Sequence, residues 1–157
     1  MTACVIAASV AVKWYVPEED RAPAMKLLAL AGSGGLEFHI PDLMYCEEGN
    51  ILWKKVRVGE LSEPESAEIA AALLAAPKTV HPSALLLPAA LKTACLLGRL
   101  VYDCIYLALA EFLGSSLITA DKKLFNALAG TEWGHAVGLI QKWNPEGHEG
   151  SHTPSPR

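Results

Sequence analysis

Glu47, Asp103 and Asp121 each sit beside strongly apolar sequence, where a carboxylate needs a partner because burying a lone charge is costly. Glu47 lies within Leu43-Met44-Tyr45-Cys46-Glu47-Glu48-Gly49-Asn50-Ile51-Leu52-Trp53. At helical spacing Glu47, Asn50 and Lys54 share one face, which an ordinary solvated helix would also show. Glu48 reads as the solvent-facing member of its pair. Asp103 is set between Leu100-Val101-Tyr102 and Cys104-Ile105-Tyr106-Leu107-Ala108-Leu109-Ala110, in a helix apolar almost all round and therefore central. A first-turn acid favoured by the helix dipole would suffice to explain it; a metal ligand is the sharper reading. Asp121 directly follows the apolar run Leu117-Ile118-Thr119 and precedes Lys122-Lys123-Leu124-Phe125, where an N-cap needs no further function. Thr119, two residues before it, points the same way and could hold a water.

Taken together, these residues describe an all-oxygen site of two or three carboxylates with no histidine or cysteine. That donor set suits Mg2+ or Mn2+ and disfavours zinc. Such ions activate water and neutralise charge growing on a phosphate, the demands of phosphodiester hydrolysis. Formal net charge is −4, so no global basic field attracts a polyanion, and a nucleic acid would have to be held locally. The candidates are Lys13 beside Trp14 and Tyr15, Lys54, Lys55 and Arg57 after Glu47, and Lys122 and Lys123 after Asp121. Trp14 and Trp53 read as core or interface aromatics rather than base-stacking platforms. His148 and His152 have metal-like spacing but fall in a Gly/Pro-rich tail.

The elements that would position these acids follow from pattern. The 157 residues are enough for one domain with a sizeable core, and hydrophobic residues make up 52% of them. Strands are expected at Thr2 to Ala7, Glu37 to Ile40, Thr79 to His81, Ser116 to Thr119 and His135 to Leu139. Helices are expected at Ala8 to Tyr15, Glu19 to Ala31, Pro41 to Val58, from the capping box Ser62-Glu63-Pro64-Glu65 to Ala76, from a Ser83 cap through Leu97 with a kink at Pro88, at Tyr102 to Leu113, and from Asp121 to Leu128. Short strands alternating with longer helices predict a three-layer α/β/α domain around a mostly parallel sheet of four to five strands. Its sites belong beyond the carboxyl ends of the strands. The expected division is a domain over 1–142 and a flexible tail over 143–157. No apolar run reaches membrane-span length. With no basic leader before Cys4, a cytoplasmic protein with reduced, mostly buried cysteines is expected.

The acid-bearing segments also carry a family resemblance. Val5-Ile6-Ala7-Ala8-Ser9-Val10-Ala11-Val12-Lys13-Trp14, Pro41-Asp42-Leu43 through Glu47 to Asn50, Val101-Tyr102-Asp103-Cys104 to Glu111, and Leu117-Ile118-Thr119-Ala120-Asp121 match PIN-domain ribonucleases in order and spacing. More specifically, the chain resembles the VapC toxins of VapBC toxin–antitoxin pairs over about residues 4 to 128. The resemblance implies four metal-site acids, three of which map onto Glu47, Asp103 and Asp121. The fourth belongs at the end of the first strand, in a Val-Ile-Asp-Ala-Ser pattern, where this chain has Ala7. Ser9, Asn50 and Thr119 fall on supporting polar positions, and Glu48 falls where the family more often has an apolar residue.

The resemblance further implies Mg2+-dependent (or Mn2+-dependent) endonucleolytic cleavage of RNA, often transfer RNA, a homodimer, and a VapB-type antitoxin whose C-terminal segment covers the site. A methyl group cannot ligate a hard cation, so the chain as written is expected to be nearly inactive. An engineered Asp→Ala change that lets cells make a toxic nuclease is the favoured origin, with a natural relic as the other. The alternative function is a naturally non-catalytic PIN-fold module that binds RNA or an antitoxin. A phosphotransfer domain would want paired acids at the first strand end, and none is there.

Overall fold

In the computed structural model, which describes residues 2–144, the apolar runs become the strands of one sheet. The strands are β1 (Thr2–Ile6), β2 (Leu36–Pro41), β3 (Thr79–His81), β4 (Ser116–Thr119) and β5 (Val137–Leu139). They lie in the order β3-β2-β1-β4-β5, with all four neighbouring pairs parallel. Parallel pairing requires crossover helices that cover both faces, which is why Val5 and Ile6 of the central strand are fully buried. The architecture is the expected three-layer α/β/α arrangement.

The crossovers are α1 (Ala8–Ala11), continued by a 3-10 turn over Val12–Trp14, α2 (Arg21–Gly32), α3 (Leu43–Arg57), α4 (Glu63–Ala75), α5 (Ser83–Leu97), α6 (Val101–Leu113) and α7 (Lys122–Leu128). The expected helix over Ala8 to Tyr15 thus tightens after one turn. Ser62 and Glu65 form the reciprocal capping box that opens α4. Gly98 and Gly114 end α5 and α6 at positive φ, where a side chain would be strained. α6 threads the core: every residue from Cys104 to Ala110 is buried.

Four expectations need correction. Ser83 does not cap α5; Pro82 occupies that position, and the Ser83 hydroxyl donates to the Asp42 carboxylate and accepts from the Leu43 N–H, tying α5 to α3. The four cysteines are all free, but only Cys4 and Cys104 are buried; Cys46 and Cys95 are exposed. Trp143, assigned to the tail, packs half-buried against the core. Glu48 is 4% exposed rather than solvent-facing. His148 and His152 lie outside the described residues. Among the described residues no single helix is long and apolar enough to cross a membrane.

Candidate active site

The carboxyl ends of β1 and β4 are adjacent because these strands pair, with Ile6 opposite Ile118. Ala7 continues that ladder by donating its N–H to the Ile118 carbonyl at 3.0 Å, and its own carbonyl then starts α1. The Ser9 hydroxyl accepts the Ala120 N–H at 3.2 Å, pinning the loop after β4 to the start of α1. In that loop the Thr119 hydroxyl accepts the Asp121 N–H at 3.1 Å. The Asp121 carboxylate caps α7 by accepting from Lys123 and Leu124. From the opposite side, α3 brings Glu47 and α6 brings Asp103 and Tyr106. Ala7, Ser9, Glu47, Asp103, Thr119 and Asp121 thereby line one cavity of about 130 Å3, together with Tyr106.

The electrostatics of this cavity are those of acids forced together. Burial raises the Glu47 carboxyl; the Tyr106 hydroxyl opposes the rise and the Asp103 charge adds to it. Burial also raises Asp103, with Arg99 lowering it and Asp121 raising it further. Arg99, four residues earlier in the link between α5 and α6, reaches Asp103 at 3.5 Å. A carboxylate that is partly desolvated and faces like charge favours its protonated form, and a cation would relieve both penalties.

The donor chemistry fits a hard cation, and one buried carboxylate oxygen, Glu47 Oε1, accepts no hydrogen bond among the described residues. The number and convergence of donors do not fit. Among the described residues no three acid, histidine or cysteine side chains come together closely enough to hold a metal ion. Ala7 adds a methyl to the cavity wall, and Asp121 spends one oxygen on the α7 cap. As it stands, this is a carboxylate cleft whose acids do not converge as a metal-binding group among the described residues.

The remaining sequence candidates divide. Asn50 is exposed and lies outside the cavity lining. Lys13 is not available for a polyanion: it is buried, and its ammonium bonds Glu18 at 3.2 Å and the Glu19 carbonyl at 2.9 Å. Lys55 is similarly engaged with Glu18 at 2.9 Å and Glu60 at 3.1 Å. Arg57 sits over the exposed Trp53 ring at 5.5 Å. Lys54, Lys122 and Lys123 are exposed. Trp14 is a core residue that stacks on Phe38 and donates to the Ala24 carbonyl.

Sequence reasoning missed two neighbours of the acids. Tyr106 lies three residues after Asp103, a spacing that places both on one helix face and could have revealed it. Glu48 had no such signal, because its partner Lys78 is 30 positions away in sequence. The Lys78 ammonium caps the end of α4 through the Leu73, Leu74 and Ala76 carbonyls, and its charge opposes the rise that burial gives the Glu48 carboxyl on α3.

Comparison with known proteins agrees with this geometry. Residues 4–130 match the PIN domain family. The chain is 38% identical over 122 residues to Ribonuclease VapC3 of Pyrobaculum aerophilum, covering 76% of this chain and 90% of that protein. In fold it is similar to PAE2754 from Pyrobaculum aerophilum, with a TM-score of 0.65, 24% identity, and coverage of 89% of this chain and 85% of that one. It is also similar to VapBC2 from Rickettsia felis, solved bound to a promoter DNA fragment, with a TM-score of 0.58 at 11% identity, covering 91% of this chain and 100% of that one. A parallel sheet in this order, acids gathered at the β1–β4 carboxyl ends, and these matches lead to one conclusion: the chain belongs to the PIN-domain family, among the VapC-type ribonucleases.

Proposed function

We propose that this chain is the toxin of a type II toxin–antitoxin pair, an endoribonuclease whose cutting site is disarmed by Ala7. The observation that carries the reading is the single cavity shared by Ala7, Glu47, Asp103 and Asp121. An Asp at position 7 would add a carboxylate to the cavity that already holds the other three acids. We assign Mg2+, with Mn2+ as substitute, as the cofactor of that four-acid form, and a transfer RNA or other structured RNA as its substrate. The partners we assign are a VapB-type antitoxin and a second copy of the chain, in the cytoplasm. The structural neighbour VapBC2 from Rickettsia felis supports the antitoxin.

The test is Ala7→Asp, assayed on a transfer RNA pool without antitoxin, with Mg2+, with Mn2+ and in EDTA. The expected result is metal-dependent cleavage at least 10- to 100-fold above the parent chain, the scale of even outer-shell changes at metal sites. A folded but inert Ala7→Asp protein would defeat the nuclease reading. The absence of any converging three-ligand group among the described residues favours one second reading, a PIN-fold module that binds RNA or an antitoxin without cutting. The same assay separates the two.

A further inference from the structure

A second and roomier cavity, about 360 Å3, opens at the β5 edge of the sheet. Ile118 and Val137 form its apolar part, and Phe125, His135, Lys142 and Trp143 surround it. Its volume falls in the range of small-ligand sites, several hundred Å3. The walls are fixed by packing: Gly138 passes so close to β4 that a Cβ there would stand 2.9 Å from Ile118 Cδ1. The Lys142 ammonium rests 5.4 Å from the centroid of the Phe125 ring. The Trp143 indole N–H is buried and meets no acceptor among the described residues.

This cavity is coupled to the acid cleft by short covalent and hydrogen-bonded paths. Leu139 pairs with Thr119, and the Gln141 amide donates to the Ala120 carbonyl at 3.4 Å. Phe125 lies one helical turn beyond Asp121, the N-cap of α7, so Asp121 and Leu124 line the acid cleft while Phe125 lines the second cavity. Lys142 brings an exposed positive charge to this cavity in a chain whose net charge is −4. Aromatic faces beside a cation suit a nucleobase with its phosphate better than an aliphatic ligand.

We propose that the β5-edge cavity, lined by Phe125, Lys142 and Trp143, is a subsite that takes one unpaired nucleobase of the RNA strand presented to the acid cleft. It rests on the reading of that cleft as an RNA site. The aromatic rings supply the contact surface, and Lys142 meets the backbone. The subsite would select where along a strand the acid cleft is placed.

The test uses the full chain, which with Ala7 should bind RNA without consuming it. Fluorescein-labelled single-stranded RNA hexamers, and a set with one abasic nucleotide moved along the strand, are titrated by anisotropy at fixed ionic strength. Lys142→Glu and Trp143→Leu should each weaken binding about tenfold or more, and one abasic position should weaken binding to the parent chain equally. In the Ala7→Asp background Lys142→Glu should raise KM for RNA cleavage and leave kcat in place. Lys142 is exposed, so that variant serves if Trp143→Leu does not fold. Parent-like affinity in Lys142→Glu, or indifference to every abasic position, overturns the subsite. Cleavage by Ala7→Asp with KM unmoved by Lys142→Glu overturns the subsite and leaves the nuclease intact. An inert Ala7→Asp protein that still binds hexamers through Lys142 defeats the nuclease and supports the subsite.

Discussion

At the scale of single residues, the cleft is a set of carboxylates kept together without full compensation, and position 7 sets how much they repel. Adding a fourth acid without metal should deepen the conflict already visible in the raised Glu47 and Asp103 carboxyls. In EDTA, Ala7→Asp should therefore melt below the parent chain, by about 2–4 °C for each kcal/mol of added repulsion. Calorimetric melting of the two proteins checks this, and an Asp form that melts equally or higher speaks against a tight cluster. Glu48 carries a separate signature. Burial pushes its carboxyl from the ordinary 4.5 up to about 7, with Lys78 opposing and Glu47 adding. The folded chain then holds a proton that the unfolded chain releases, so stability is full below pH 4.5 and is lost as pH rises to about 7. Glu48→Gln should flatten that slope and gain on the parent at pH 8 by on the order of 1–3 kcal/mol. Urea melts at pH 5 and pH 8 measure the difference, and an unchanged slope would remove Glu48 as its source.

At the scale of elements, the strongest departure from the sequence reading is Lys13. It looked like a basic group beside two aromatics, suited to RNA, yet the 3-10 turn after α1 rotates it inward onto Glu18 and the Glu19 carbonyl. Lys13→Ala should therefore act on stability, at about 1–3 kcal/mol, while RNA affinity follows only the loss of folded protein. Denaturation and hexamer binding measured side by side distinguish the roles; a selective loss of RNA affinity at full stability would reinstate the first reading. Much of the rest was legible for local reasons. The Ser62-Glu65 box, the Asp121 cap and the positive-φ glycines after α5 and α6 announce their ends through backbone chemistry within four residues. The acids of the cleft were legible because each interrupts an apolar run, and their order matched a family pattern. Glu48, Ser83 and Trp143 were misread because their environment comes from distant chain: Lys78, Asp42 and the β4–β5 edge. Periodicity carries no information about such partners.

At the scale of the whole molecule, α5 and α6 leave large apolar side chains uncovered, among them Leu85 at 78%, Leu96 at 66% and Phe112 at 76% exposure. These exposed apolar side chains are where we place the contact of the proposed homodimer. Light scattering behind size exclusion should give twice the 16.8 kDa chain mass, and Phe112→Glu should return the monomer mass. A monomer at micromolar concentration in the parent chain would discard the dimer. The central claim is that the β1–β4 cleft is a hard-cation site short of one ligand at Ala7. Its most direct test is Mn2+ binding, followed by titration calorimetry on the folded Ala7 chain and on Ala7→Asp. Ala7→Asp should bind one Mn2+ at least 10- to 100-fold more tightly, and adding Asp103→Asn should remove the gain. Equal affinity in the two proteins, or a gain indifferent to Asp103, would contradict it.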